Sequence, residues 1–302
     1  MKKNIIISTA LAAMLLSFSS CEGFLTQENP NKIAAESYFQ TENDAERALN
    51  GVYLALRSNN CLGEGSTMFT EERSDNMGRL DNQSSSGEPF QFTDFSLLSS
   101  NTYLKNHWVA MFTAVTRSNF LLTYIDEVAF EDEAVRTRYK AEAKFVRALV
   151  YFHLVRKWGD VPLVTTYLTT TEEINANTFR EKKETVYAQI VQDLKDALNS
   201  DLPDIQPESG KGRACKAAVS GLLGQVYLTM ATTLSDGNKD SYLQQAKSYL
   251  EMCYGMRKFG SLSEIPYEDV FDVSKKSTCP EIIFQIVYKQ GDKDYYSSIA
   301  AN

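Results

Sequence analysis

The chain has 302 residues, of which 43% are hydrophobic, 11% aromatic and 23% charged. This is a globular composition, long enough for one large core or two smaller ones. The net charge is −8, and without Lys2 and Lys3 29 basic residues face 39 acidic ones, a balance that argues against nucleic acid and anionic lipid as partners.

Met1-Lys2-Lys3 is a short basic start, and Ile5 to Leu16 is an apolar run the length of a signal-peptide core. That run is shorter than the ~20 residues a transmembrane helix needs. Ser19-Ser20-Cys21 follows, small residues before a cysteine, which reads as a lipoprotein cleavage site. Residues 1–20 are then a lipoprotein signal peptide and Cys21 the lipid attachment point, an anchor in a membrane. The alternative is an ordinary secretory leader cut elsewhere.

Asn43 to Leu56 reads as a helix with an Asn43/Glu46 capping box and a stripe of Ala45, Leu49, Val52 and Leu56. Gly51 inside it suggests close packing. Residues 61–103 form a long polar insertion, and loops of this length in a compact domain are functional or disordered. Phe69, Phe90, Phe92 and Phe95 argue that it is partly tied down. A second helix is expected over about 103 to 127, with Trp108, Phe112, Val115, Asn119 and Leu122 inward. A third contains Ala141, Phe145, Ala148, Phe152 and Val155, spaced by four, three, four and three. Arg156 and Lys157 complement its dipole, Gly159 ends it and Pro162 keeps it from resuming.

Residues 165–183 read as a polar crossover. Thr185 to Leu198 forms the fourth helix, with Tyr187, Ile190, Leu194 and Ala197 inward. Gly210 to Arg213 is a turn, and Ala214 to Thr229 the fifth helix. Its Leu223-Gly224-x-x-Tyr227 matches the core of a tetratricopeptide first helix, with Ser220 where a Trp is common. Tyr242 to Met256 is the sixth, using Ala246, Leu250 and Cys253. Six helices in three hairpins suggest a solenoid-like scaffold. Glu281 to Tyr288 alternates, is rich in β-branched and aromatic residues, and reads as a strand.

Catalytic spacing is lacking. His107 and His153 are the only histidines, each in mid-helix, with no His-Glu-x-x-His or Cys-x-x-Cys. Paired acids such as Glu71-Glu72 and Glu172-Glu173 read as solvated surface rather than a glycosidase pair. No enzyme, cofactor or metal is implied. After Cys21, four cysteines remain; export permits disulfides, and free, mostly buried thiols are the expectation.

Several stretches resemble one family. Arg138-Tyr139-Lys140-Ala141-Glu142-Ala143-Lys144-Phe145-Val146-Arg147-Ala148 and Gly159-Asp160-Val161-Pro162-Leu163 are similar to the signature of the SusD/RagB family, with Lys144 replacing the usual Arg. Leu49-Asn50-Gly51-Val52-Tyr53, Gly212-Arg213-Ala214 and Glu281-Ile282-Ile283-Phe284 fit the same family. The resemblance implies a mostly α fold: tetratricopeptide-like helical hairpins in an α-α superhelix, with long irregular loops and the start of a second, mixed part. On that reading residues 21–280 are the helical domain with the 61–103 insertion, and 281–302 begin a truncated second half. The implied function is a cell-surface lipoprotein of the outer membrane that binds oligosaccharide and delivers it to a SusC-like TonB-dependent transporter. Carbohydrate sites combine exposed rings with planar polar groups, and Asp75, Asn76, Arg79, Asn101 and Tyr103 in the insertion are the candidate ligand contacts. A helical-repeat scaffold of an envelope complex with no glycan site, and a lipid-anchored hydrolase, are the rival readings.

Overall fold

The computed structural model describes residues 38–75 and 87–288; the Cys21 leader expectation lies outside them. Among the described residues the long helices are α1 (Glu42–Leu56), α4 (Thr102–Tyr124), α5 (Glu133–Trp158), α7 (Lys183–Leu198), α8 (Lys216–Thr233) and α9 (Lys239–Gly255). Shorter pieces are α2 (Glu64–Thr70), α3 (Phe90–Thr93) and α6 (Thr171–Asn177). Each long helix packs on the next: α1 on α4, α4 on α5, α5 on α7, α7 on α8 and α8 on α9. This is the nearest-neighbour stacking of a helical-hairpin solenoid. None of these helices is long and apolar enough to cross a membrane.

The helix ends follow local chemistry. Thr41, not Asn43, caps α1: its Oγ1 accepts from the Asp44 N–H while the Asp44 carboxylate accepts from the Thr41 N–H at 2.9 Å. Asn101 caps α4 by accepting from the Leu104 N–H at 3.1 Å. Gly159 follows α5 at φ 71°, a conformation that L side chains avoid. The crossover then holds a small antiparallel pair that sequence reading did not foresee, β1 (Val161–Pro162) on β2 (Arg180–Glu181), with Val161 opposite Glu181. Cys215 lies just before α8 rather than inside it.

α5 is the centre of the core, buried on several sides from Tyr139 to Val155. Two polar residues of its signature are buried with it. Arg147 makes a two-pronged ion pair with Asp193 of α7 (2.7 and 2.8 Å) and also donates to Asn119 Oδ1 of α4 and the Thr165 carbonyl. Glu142 accepts from Arg213 at 2.9 Å through both nitrogens and from the Tyr53 hydroxyl of α1 at 2.6 Å. Full pairing is what makes a buried charge tolerable.

Several expectations need correction. Val115 and Asn119 of α4 are buried as expected, but the buried face is centred on His107, Met111, Ala114, Ser118 and Leu121, so Trp108, Phe112 and Leu122 are only partly buried at its flank. Gly51 is not needed for packing, since a Cβ there would meet nothing within 4 Å. Close approach is instead required of Gly224, where a Cβ would come within 2.5 Å of Leu250. Glu281 to Tyr288 is not a strand: it is extended chain, and no other described segment forms a ladder with it.

Candidate functional site

The 61–103 insertion is anchored at its base by an aromatic and cationic cluster. Phe92 is fully buried and Phe69 sits between it (ring centroids 5.2 Å), His107 (4.9 Å) and Trp158 (5.3 Å). Trp108 meets Trp158 edge-on at 5.2 Å, a geometry that the ring quadrupoles favour.

The polar part of the cluster has one consistent protonation pattern. Lys157 Nζ lies 2.8 Å from His107 Nε2, and His107 Nδ1 lies 2.6 Å from the Asn60 carbonyl. An ammonium only donates, so Nε2 accepts, and Nδ1–H donates to the carbonyl. His107 is therefore neutral: burial, then the Lys157 charge, pull its pKa down to about 4. Burial, then Arg156, lower Lys157 to about 8. Lys157 also reaches Ser66 Oγ at 3.3 Å and lies 5.0 Å over the Phe69 ring. Both histidine and lysine thus join α4 and α5 to the insertion. Cys61 beneath them is a buried thiol pushed up to about 12, which makes it a poor nucleophile. Cys61, Cys215, Cys253 and Cys279 are free, as sequence reading expected. No metal-binding cluster occurs among the described residues.

The insertion's outer surface differs. Phe95 is 67% exposed and adopts φ 60°, the one positive φ at a non-glycine among the described residues. The turn before it is held by Asp94, whose Oδ1 accepts from the Ser96 N–H and hydroxyl. The Arg73 guanidinium sits 5.5 Å from the Phe95 ring. Phe95 therefore does not tie the insertion down, in contrast to Phe69 and Phe92; it is presented to solvent.

The five candidate contacts separate. Asp75 is exposed and two residues from Arg73; Tyr103 is partly exposed on the first turn of α4. Asn76 and Arg79 lie outside the described residues. Asn101 corrects the expectation: it is 1% exposed, its oxygen caps α4, and its amide donates to the Glu88 carbonyl and Gln91 Oε1, both at 3.0 Å. It holds the insertion's shape and has no group left for a ligand. Sequence reading missed Arg73 and the exposure of Phe95. A phenylalanine between Asp94 and Ser96 was the available signal, because Asx turns tolerate residues that a core strand would not.

Comparison with known proteins decides the family. The family described as "Starch-binding associating with outer membrane", SusD-like, matches residues 10–228. The chain belongs to the SusD-like family. SusD-like protein P25 of Formosa agariphila is 28% identical over 75% of this chain and 43% of its own length. A solved laminarin-binding SusD-like protein is 28% identical, with a TM-score of 0.63 over 76% of this chain and 47% of that one. A solved SusD-like protein from Bacteroides fragilis, 23% identical, superposes with a TM-score of 0.70 over 86% of this chain and 47% of that one, which shows the fold. The mostly helical SusD-like architecture read from the sequence is therefore observed. The chain spans about half the length of the curated relatives it matches. The family's description is of starch-binding proteins associated with the outer membrane.

Proposed function

We propose that this chain captures an oligosaccharide at the cell surface, held by lipid on Cys21, and delivers it to a SusC-like TonB-dependent transporter. The observation that carries the glycan reading is Phe95, a large apolar ring held open to solvent in a costly backbone conformation. Sugars present C–H faces that stack on such rings while their hydroxyls pair with planar polar groups. Arg73 supplies such a group beside the ring, with Asp75, Tyr103, Asn76 and Arg79 on the same insertion. The laminarin-binding relative supports a glucan among the first ligands to try.

The test is native electrophoresis of the full chain in gels containing soluble polysaccharides, laminarin included. Retardation by one glycan is expected, and Phe95→Ala should abolish it while circular dichroism stays helical. Equal retardation of the variant would remove Phe95 from the site. A folded chain that no glycan retards would favour the scaffold reading.

A further inference from the structure

A second surface lies beside α1 and is built for something other than a sugar. An open groove of about 690 Å³ runs between α1 and residues 284–287, with the turn at Lys211–Arg213 at its side. Leu54, Phe284 and Ile286 give it an apolar floor, and Arg47, Arg57, Lys211 and Arg213 line it, yet no aspartate or glutamate does. In a chain of net charge −8 that is a concentrated positive wall.

Some of this charge is balanced within the protein. Arg213 is matched by Glu142, and Arg47 lies 4.0 Å from Asp44 with its side chain 66% exposed. Lys211 differs: it donates only to the carbonyls of Ile282 (2.8 Å) and Cys279 (3.5 Å). Arg117 next to the groove likewise donates to the Gly51 carbonyl at 2.8 Å. Neither has a carboxylate partner among the described residues. A partner bearing carboxylates would supply the missing counter-charge.

The extended segment beside the groove says what shape that partner has. Ile282, Phe284, Ile286 and Tyr288 turn partly inward while Ile283 and Val287 are exposed, a two-residue alternation interrupted at Gln285, which is partly buried and donates to the Lys276 carbonyl. Phe284 is pinned edge-on against Phe145 of α5 (5.1 Å), and Gly212 lets Val287 approach so closely that a Cβ there would fall 2.7 Å from its methyl. The segment is thus held straight by side chains. Its backbone donors are open: among the described residues, the N–H groups from Ile283 to Tyr288 meet no protein acceptor, although the Ile283 carbonyl accepts from Cys215 Sγ at 3.8 Å. A row of unpaired backbone donors on a fixed extended segment is a template for another strand.

We propose that this groove binds an extended acidic peptide, which adds as a β-strand to residues 283–287 and places its carboxylates against Arg47, Lys211 and Arg117. A glycan fits less well. The rings at the groove are already engaged, Tyr53 by Glu142 and Phe284 by Phe145, and sugar hydroxyls do not repeat at the spacing of strand amides.

The experiment is fluorescence anisotropy of the full chain, in mild detergent, with a labelled nonapeptide alternating valine and glutamate. Saturable binding is expected, weakening about fivefold or more between about 50 and about 300 mM salt, since the contacts are exposed. Arg47→Glu, at an exposed position, should weaken it about tenfold with unchanged circular dichroism. Two peptides N-methylated on alternate residues, one for each edge, separate strand pairing from charge attraction: one should bind and the other should not. If both bind alike, if a valine–lysine peptide binds equally, or if polygalacturonate binds while the peptide does not, the proposal fails.

Discussion

The centre of the helical stack and its margins obey different rules. α5 buries thirteen residues, among them Glu142 and Arg147, and every charged group it buries is paired. α9 buries Ala246 alone and leaves Leu243, Leu250, Met252 and Tyr254 between 38% and 56% exposed. The extended 283–288 segment keeps its amides open, and the insertion exposes Phe95. Stability is concentrated where four elements converge on Arg147. The margins carry apolar groups and strain that contribute little to folding and are available for contacts with other molecules.

The largest effect should come from breaking the centre. Arg147→Ala leaves Asp193 charged and 1% exposed, and losing one partner of a buried pair costs about 3–5 kcal/mol. Urea denaturation should show that loss. The double replacement Arg147→Met with Asp193→Leu should recover part of it, since both charges go. Recovery stays incomplete because Asn119 Oδ1 and the Thr165 carbonyl lose their donor. If the double variant is no better than the single one, the pair is not the cause.

One substitution made in both regions measures the contrast directly. Leu154 in α5 is fully buried and Leu250 in α9 is 40% exposed. Leu154→Ala should cost about 2–5 kcal/mol because it opens a cavity. Leu250→Ala should cost under about 1 kcal/mol in the same titration, because the site is already half in water. Equal costs would mean that α9 is as much a part of the folding core as α5.

Much of the centre was legible in the sequence because helical periodicity and the signature residues report the same thing, burial of one face. Phe145, Phe152, Ile190 and Leu194 lie where their spacing puts them. What was not legible depends on contacts distant in sequence. Glu142 meets Arg213 across 71 positions and Arg147 meets Asp193 across 46, and neither separation leaves a local pattern. The α4 stripe was right at Val115 and Asn119 but shifted at its start, because Trp108 and Phe112 look like core residues, whereas His107 and Ser118 do not. The buried His107 is tolerated only because Lys157 and the Asn60 carbonyl satisfy both ring nitrogens. Residues 281–288 have the composition of a strand, but a ladder needs a second strand, and composition cannot supply it. At the candidate site Asp75 is exposed and Tyr103 partly exposed, as polar residues of a loop and a first helical turn are expected to be. Asn101 was misread because a cap and a ligand contact call for the same amide.

The smallest expected change tests whether Phe95 is held open at a cost. For an L-residue the left-handed region costs roughly 1–2 kcal/mol, whereas glycine enters it freely. Phe95→Ala keeps that strain and loses the Arg73 contact; Phe95→Gly loses the contact and the strain together. The glycine variant should therefore be more stable than the alanine variant by about 1 kcal/mol, although glycine lowers helix and strand stability elsewhere. Both should fail to be retarded by glycan, since both lack the ring. Thermal unfolding of the two, read beside the retardation gels, separates the conformation from the side chain. If alanine is the more stable, φ 60° at this position is no burden, and the ring's exposure needs another cause. If glycine is the more stable and both lose retardation, the protein gives up folding stability at this margin to present one ring, whereas α5 gives up none.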